Sequence, residues 1–92
     1  MQIIIHRINT IKGLNDIPSQ YGVEIDVRGY GSKLLLSHDP IENDPSRYDE
    51  LEKYLSFYQN SFIIFNMKEA GYEQRVIDLA DRYEIKDYFQ RE

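Results

Sequence analysis

The stretch Gly22-Val23-Glu24-Ile25-Asp26-Val27-Arg28 alternates between apolar and charged side chains, with Val or Ile at the odd positions and a charge at each even position from 24 onward. This alternation predicts a β-strand with one apolar face and one polar face. Because successive side chains point to opposite sides of a strand, Glu24 and Asp26 are expected to leave it on the same side. Arg28, on that same face, provides a positive charge that can neutralise them.

Apolar strand patterns and helical patterns alternate along the rest of the chain. Strands separated by helices at this spacing predict an α/β fold with a parallel sheet and right-handed crossovers. Strands are predicted at residues 2–5, 23–28, 33–37 and 61–68, with another opening at 88–89, and helices at residues 10–17, 45–58 and 72–83.

Two of these elements carry specific expectations. Asp44-Pro45 is typical of an N-cap followed by proline in the first helical turn, so one helix is expected to run from there through Tyr58. In the strand at 61–68, alternation places Ile64, Asn66 and Lys68 on one face. The sequence ends where the next strand is expected to run, which predicts either a truncated chain or a sheet completed by self-association through its unpaired edge.

Composition limits the classes of function that fit this chain. Its 92 residues are enough for a single domain, and 16 acidic against 11 basic residues give a net charge of −5, which disfavours nucleic-acid partners. The sequence has no cysteine, so disulfides and thiolate metal sites are excluded, in keeping with a cytoplasmic location. No apolar run approaches the roughly 20 residues of a membrane-spanning helix, so no membrane insertion is expected.

The two histidines of the chain, His6 and His38, each follow an apolar run that is predicted as a strand. Taken singly, an imidazole at a strand end is more often a structural cap than a catalytic group. Both are predicted at the carboxyl ends of strands, where parallel α/β folds place their sites. Imidazole both takes up and releases protons near neutral pH, so the pair is suited to acid–base catalysis.

Charged residues around the histidines predict a phosphate site with a cation. Two carboxylates in one cavity need a positive charge between them, and Glu24 and Asp26 would suit a hard cation such as Mg²⁺ or Ca²⁺. Taken alone, the two carboxylates are more typical of a solvated strand face. Arg7 has the planar fork that clamps phosphate, or it forms a surface ion pair. Lys68 is either a phosphate ligand or a rim residue whose alkyl chain packs on the surface.

The order of these motifs resembles the glycerophosphodiester phosphodiesterase family. The resemblance rests on His6-Arg7 after the first strand, Glu24-Ile25-Asp26 on the second, His38-Asp39-Pro40 after the following run, and Asn66-Met67-Lys68 where the family has Glu-x-Lys. Asn9-Thr10 also match the end of the family's Glu-Asn-Thr. The family folds as a TIM barrel of about 250 residues, so the resemblance implies that residues 1–92 are one domain forming the N-terminal part of such a barrel.

The resemblance implies a metal-dependent phosphodiester hydrolase that acts on a glycerophosphodiester or a related small phosphodiester. In that family His6 and His38 would be the catalytic acid and base. Arg7 and Lys68 would bind the phosphate, and the divalent cation, Mg²⁺ or Ca²⁺, would be held by Glu24, Asp26 and Asn66. Two alternatives stay open: a phosphate- or ligand-binding module without catalysis, and a fragment that self-associates through its sheet edge.

Overall fold

The structure, a computed structural model, describes residues 2–42 and 44–92, which form an α/β fold with a mostly parallel sheet and alternating strand and helix units. This confirms the predicted fold class at that level. The elements in chain order are β1 (Ile4–Ile5), α1 (Ile11–Asn15), β2 (Gly22–Tyr30), β3 (Lys33–Leu36), a 3-10 turn (Pro45–Arg47), α2 (Leu51–Phe57), β4 (Ile63–Met67), α3 (Glu73–Arg82) and β5 (Tyr88–Arg91).

The strand β2 is the centre of the sheet and has partners along both of its edges. Val23 pairs in parallel with Ile5 of β1 and, on the opposite edge, with Ile63 of β4. Val27 pairs with Met67 of β4 and also with Leu36 of β3. Since β4 occupies one edge throughout, β1 and β3 must share the other edge, with β1 beside the beginning of β2 and β3 beside its end.

The strand β3 departs from the parallel arrangement that the sequence predicts. It pairs antiparallel with β2, from Tyr30 opposite Lys33 to Val27 opposite Leu36. The connection is a tight turn in which Gly31 has a φ of 60°, a conformation that glycine adopts without strain. A connection this short joins antiparallel strands, whereas a parallel pair needs a long crossover, so the short turn fixes the direction of β3.

The two faces of β2 and β4 differ as their alternation predicts. The odd-numbered side chains of β2 and β4 are buried in a core shared with the helices, and Ile25, Phe65 and Val76 are fully buried there. Burying each such side chain contributes roughly 2 kcal/mol. The even-numbered positions Ile64 and Asn66 of β4 are only half-buried. The apolar face therefore supports the fold and leaves the other face for polar groups.

The predicted helix from Asp44-Pro45 through Tyr58 is wrong in its first half. Asp44 caps only a short 3-10 turn, by accepting a hydrogen bond from the backbone N–H of Ser46 at 3.1 Å. The chain then extends, because the carbonyl of Asp49 accepts from Leu36 at 3.0 Å and Glu50 forms a bridge with Leu35. Pairing with β3 thus delays the start of α2 to Leu51.

The remaining elements lie close to their predicted positions. The first helix is capped by Thr10, whose hydroxyl accepts from the backbone N–H of Gly13 at 2.9 Å. The strand predicted to open at Tyr88 is present as β5 and pairs in parallel with β4. Across residues 2–42 and 44–92, the helices are too short or too polar to cross a lipid bilayer.

Candidate functional site

The ends of β1 and β3 meet beside the middle of β2, because these strands approach each other along one edge. The N–H of Ile8, after β1, donates to the carbonyl of Glu24 at 3.0 Å. The N–H of Ser37, after β3, donates to the carbonyl of Asp26 at 3.1 Å. The two segments that carry the histidines are therefore fixed to neighbouring positions of the strand that carries the carboxylates. The sequence predicts this meeting, although through a parallel rather than an antiparallel β3.

One nitrogen of the His6 ring makes a hydrogen bond to Glu24, and most of the side chain is exposed. Its Nδ1 lies 3.0 Å from Oε1 of Glu24, and its side chain is 71% exposed. A carboxylate accepts hydrogen bonds, so Nδ1 carries the proton and donates it to Glu24. The Nε2 atom of His6 is then the nitrogen available to exchange a proton with a bound molecule.

His38 is oriented from both sides of its ring. Nη2 of Arg7 lies 3.0 Å from Nε2 of His38, and Nδ1 of His38 lies 3.2 Å from Oδ1 of Asp39. A guanidinium group only donates hydrogen bonds, so Nε2 must accept and Nδ1 must carry the proton toward Asp39. His38 is thus neutral in this arrangement, with an unprotonated Nε2 beside Arg7.

Asp26 is almost fully buried and is surrounded by hydrogen-bond donors. Asn9 holds it from two directions: its amide nitrogen donates to Oδ2 at 3.0 Å, and its amide oxygen accepts from the backbone N–H of Asp26 at 2.8 Å. The amide of Asn66 donates to Oδ1 at 3.1 Å, and Nζ of Lys68 lies 3.7 Å from the same oxygen. These contacts offset the cost of burying the charge.

Arg91 of β5, the strand beyond β4, completes the site. Its Nη2 contacts Oε2 of Glu24, so this carboxylate lies between His6 and Arg91. Arg28 does not neutralise the carboxylate pair. It donates to the carbonyl of His38 at 2.8 Å and pairs with Glu69 at 3.4 Å instead. Arg28 therefore holds the backbone of the His38 segment through this hydrogen bond.

A buried tyrosine fixes the loop that carries His6 and Arg7. The hydroxyl of Tyr54, in α2, donates to the carbonyl of Ile8 at 2.8 Å. Burial raises the pKa of Tyr54 far above its ordinary value, and the nearby Tyr58 and Asp49 raise it further. The hydroxyl therefore keeps its proton and its hydrogen bond over the whole neutral range.

All the residues that the sequence predicts for the site lie in this one cluster, and two further members were missed. The predicted residues are His6, Arg7, Glu24, Asp26, His38, Asn66 and Lys68. Asn9 and Arg91 are the additions. The match of Asn9-Thr10 to a family motif was a signal for Asn9, whereas Arg91 depends on the β4–β5 register, which the sequence does not specify.

The carboxylate pair, as arranged, does not fit a divalent cation. Each oxygen of Glu24 and Asp26 already accepts from a protein donor, and the cations Arg91 and Lys68, which lie beside them, would repel a metal ion. Asn66 turns its amide nitrogen toward Asp26 and presents no oxygen to the pair. Within residues 2–42 and 44–92, no three His, Asp or Glu side chains are grouped as metal ligands would be. The metal stays a prediction from the sequence.

Comparison with known proteins returned no match among family models, curated proteins or solved structures.

Proposed function

We propose that this protein is a phosphodiester hydrolase of the glycerophosphodiester phosphodiesterase type, and that its sheet is the first part of a TIM barrel. The proposal is supported by the order of strands β1, β2, β4 and β5, which follows the order of the chain as in a barrel. It is also supported by the position of the charged cluster, which lies at the carboxyl ends of the parallel strands β1, β4 and β5.

The observation that carries the proposal is that a carboxylate orients each of the two imidazoles and that Arg7 contacts one of them. Each histidine uses Nδ1 to donate to a carboxylate, His6 to Glu24 and His38 to Asp39. Each therefore keeps Nε2 for proton exchange, and Arg7 already contacts that atom of His38. Two imidazoles oriented by carboxylates, one of them in contact with an arginine fork, are suited to phosphate ester chemistry.

A phosphodiester bound to Arg7 would draw the guanidinium away from His38. Nε2 of His38 would then accept a proton from the attacking water as its oxygen forms a bond to phosphorus. The bond from phosphorus to the leaving oxygen breaks, and His6, which enters this step with both ring nitrogens protonated, delivers the proton of Nε2 to the departing alkoxide. The products are a phosphomonoester and an alcohol, and His38 returns its proton to His6 through solvent.

Two substrates with different leaving groups test these roles. Bis-p-nitrophenyl phosphate releases a phenolate that needs little protonation, whereas a glycerophosphodiester releases an alkoxide that needs a proton. We expect His38→Gln to lower kcat/KM about 100-fold or more on both substrates, since loss of a general base costs that much. We expect His6→Gln to lower kcat/KM by a similar factor on the glycerophosphodiester only, because only its alkoxide needs the proton. Both are measured with wild-type protein and with Lys53→Gln, an exposed change on α2, as the control.

Turnover of both substrates that survives in both histidine variants would rule out the proposed chemistry. Each assay is run with EDTA and with added Mg²⁺ or Ca²⁺, so that the cation expected from the family is tested separately from the histidines.

A phosphate-binding module without catalysis is the second candidate. It is favoured by one observation: the uncharged Asn66 stands where the glycerophosphodiester phosphodiesterase family has a glutamate. One negative charge among the metal ligands of that family is therefore missing here. Binding of inorganic phosphate without turnover of either diester would select this function. Self-association through β5, an edge strand of the described sheet, is checked by the mass of the protein on a sizing column.

A further inference from the structure

Each carboxylate of the pair has a cationic partner of its own. Lys68 lies 3.7 Å from Oδ1 of Asp26, and Arg91 contacts Oε2 of Glu24. A divalent cation bound between two carboxylates would bring two positive charges, and these two side chains also bring two. The charge balance at the pair is therefore complete from protein groups alone.

Burial makes this balance necessary. The side chains of Asp26 and Glu24 are 1% and 7% exposed, so water cannot solvate their charges fully. A buried carboxylate stays ionised only when hydrogen bonds and an opposite charge compensate for lost hydration. Lys68 and Arg91 are more accessible, at 24% and 45%, and can therefore turn part of their donors toward a ligand.

The sheet register builds this arrangement into the fold. Asp26 pairs with Asn66 of β4, and Asn66 pairs with Arg91 of β5, so the three residues form one row across the sheet. Lys68 follows two positions after Asn66 and shares its face. An uncharged Asn66 in the middle of this row keeps the count at two acids and two bases, whereas a third carboxylate would leave an excess negative charge.

We infer that Lys68 and Arg91 take the place of the divalent cation at this site, so that it binds the phosphate group of its substrate without a metal. This inference rests on the proposed phosphate chemistry and specifies how its charge is supplied. The neutralised pair would no longer repel an anion, and Arg7, Lys68 and Arg91 would hold the phosphate oxygens by charged hydrogen bonds.

Titration calorimetry with inorganic phosphate tests the inference without depending on turnover. The wild-type protein should bind phosphate with the same Kd, within about twofold, in EDTA and in Mg²⁺ or Ca²⁺. Arg91→Gln and Lys68→Gln should each weaken binding in EDTA about tenfold. Arg91→Lys, which keeps the charge, should retain most of the affinity. Arg82→Gln is the matched control, since Arg82 pairs with Glu52 away from the site.

The outcomes separate this inference from the proposed function. Phosphate binding that appears only when Mg²⁺ or Ca²⁺ is added would overturn the inference and leave the proposed function standing. Binding in EDTA that is unchanged in Arg91→Gln and Lys68→Gln would also overturn it. If phosphate binds under neither condition, both fail. Circular dichroism of each variant checks that it is folded, and the exposed Arg91, with its charge-conserving variant, keeps the test valid if Lys68→Gln does not fold.

Discussion

Nη2 of Arg7 donates to Nε2 of His38 across 3.0 Å, and this bond joins the segment after β1 to the segment after β3. The backbone of Arg7 is in the left-handed region, with a φ of 56°. A residue other than glycine is uncommon in this region. The strained backbone costs of order 1 kcal/mol or more, and the surrounding structure must hold the residue in place. The side chain reaches His38 from a strained backbone, so its position has been obtained at the expense of stability.

Replacing Arg7 by glycine and by alanine separates these two effects. Both variants lose the guanidinium, but only glycine relieves the strained φ of 56°. We expect Arg7→Gly to be more stable than Arg7→Ala by about 1 kcal/mol. Urea unfolding measures the free energy of unfolding of both. Equal stability of the two variants would show that the backbone leaves the left-handed region once the side chain is removed.

Removing the side chain of Asn9 should destabilise the fold as well as the site. Asn9→Ala removes a donor to the buried carboxylate of Asp26 and the acceptor for the N–H of Asp26. Two lost hydrogen bonds of ordinary strength cost about 2 kcal/mol. Chemical denaturation measures this loss against Asn15→Ala, an exposed asparagine in α1. A loss no larger than that of the control would mean that water replaces both bonds.

The buried Tyr54 of α2 and the half-buried Tyr58 that follows this helix predict an alkaline limit to stability. Burial raises the pKa of both Tyr54 and Tyr58, with Tyr58 and Asp49 adding to the rise at Tyr54 and Asp87 adding at Tyr58. Above about pH 10 the unfolded chain loses these protons while the folded chain keeps them. The free energy of unfolding is therefore highest below pH 10 and falls as the pH rises above it.

Phenylalanine variants distinguish the two hydroxyls at neutral pH. Tyr54→Phe should cost about 1 kcal/mol at pH 7, because the carbonyl of Ile8 loses its donor. Tyr58→Phe should cost less, since the Tyr58 hydroxyl has no hydrogen-bond partner within residues 2–42 and 44–92. Both variants should lose stability less steeply than wild type between pH 9 and 11 when unfolding is followed in urea. An unchanged alkaline slope in both would contradict the predicted shifts.

Asp49 links the start of α1 to the segment before α2. Its Oδ2 accepts from the backbone N–H of Ile11, the first residue of that helix, at 2.6 Å. Asp49→Ala should cost about 1 to 2 kcal/mol in thermal or urea unfolding, as loss of a helix cap does. Asp49→Asn keeps an oxygen acceptor and should cost less. If the two variants are equally destabilised, the negative charge rather than the hydrogen bond is what matters.

Much of the candidate site could be predicted because the alternation of a strand fixes which side chains share a face. Glu24 with Asp26, and Asn66 with Lys68, follow from this rule. His6, Arg7 and His38 follow from their positions after apolar runs, although the direction of β3 was predicted incorrectly. The edge shared by β1 and β3 still brings together the segments that carry the two histidines, because both strands end beside the middle of β2.

The parts that could not be predicted depend on contacts between distant segments. Arg91 reaches Glu24 only because of the register between β4 and β5, and Arg28 pairs with Glu69 across the sheet. The delayed start of α2 has the same cause, since Asp49 and Glu50 pair with β3 rather than continuing the turn capped by Asp44. A local pattern such as Asp-Pro carries no information about these partners.

The two-sided strand β2 also restricts how this sequence can change over evolution. Its odd residues belong to the core and its even residues to the site, so inserting or deleting a single residue inside β2, directly after Val23, would exchange the two sets for the rest of the strand. Apolar side chains would then face the polar cluster, and Glu24 and Asp26 would enter the apolar layer. Length variation in this chain should therefore be tolerated in loops and turns, and within β2 only substitutions that preserve the alternation should survive.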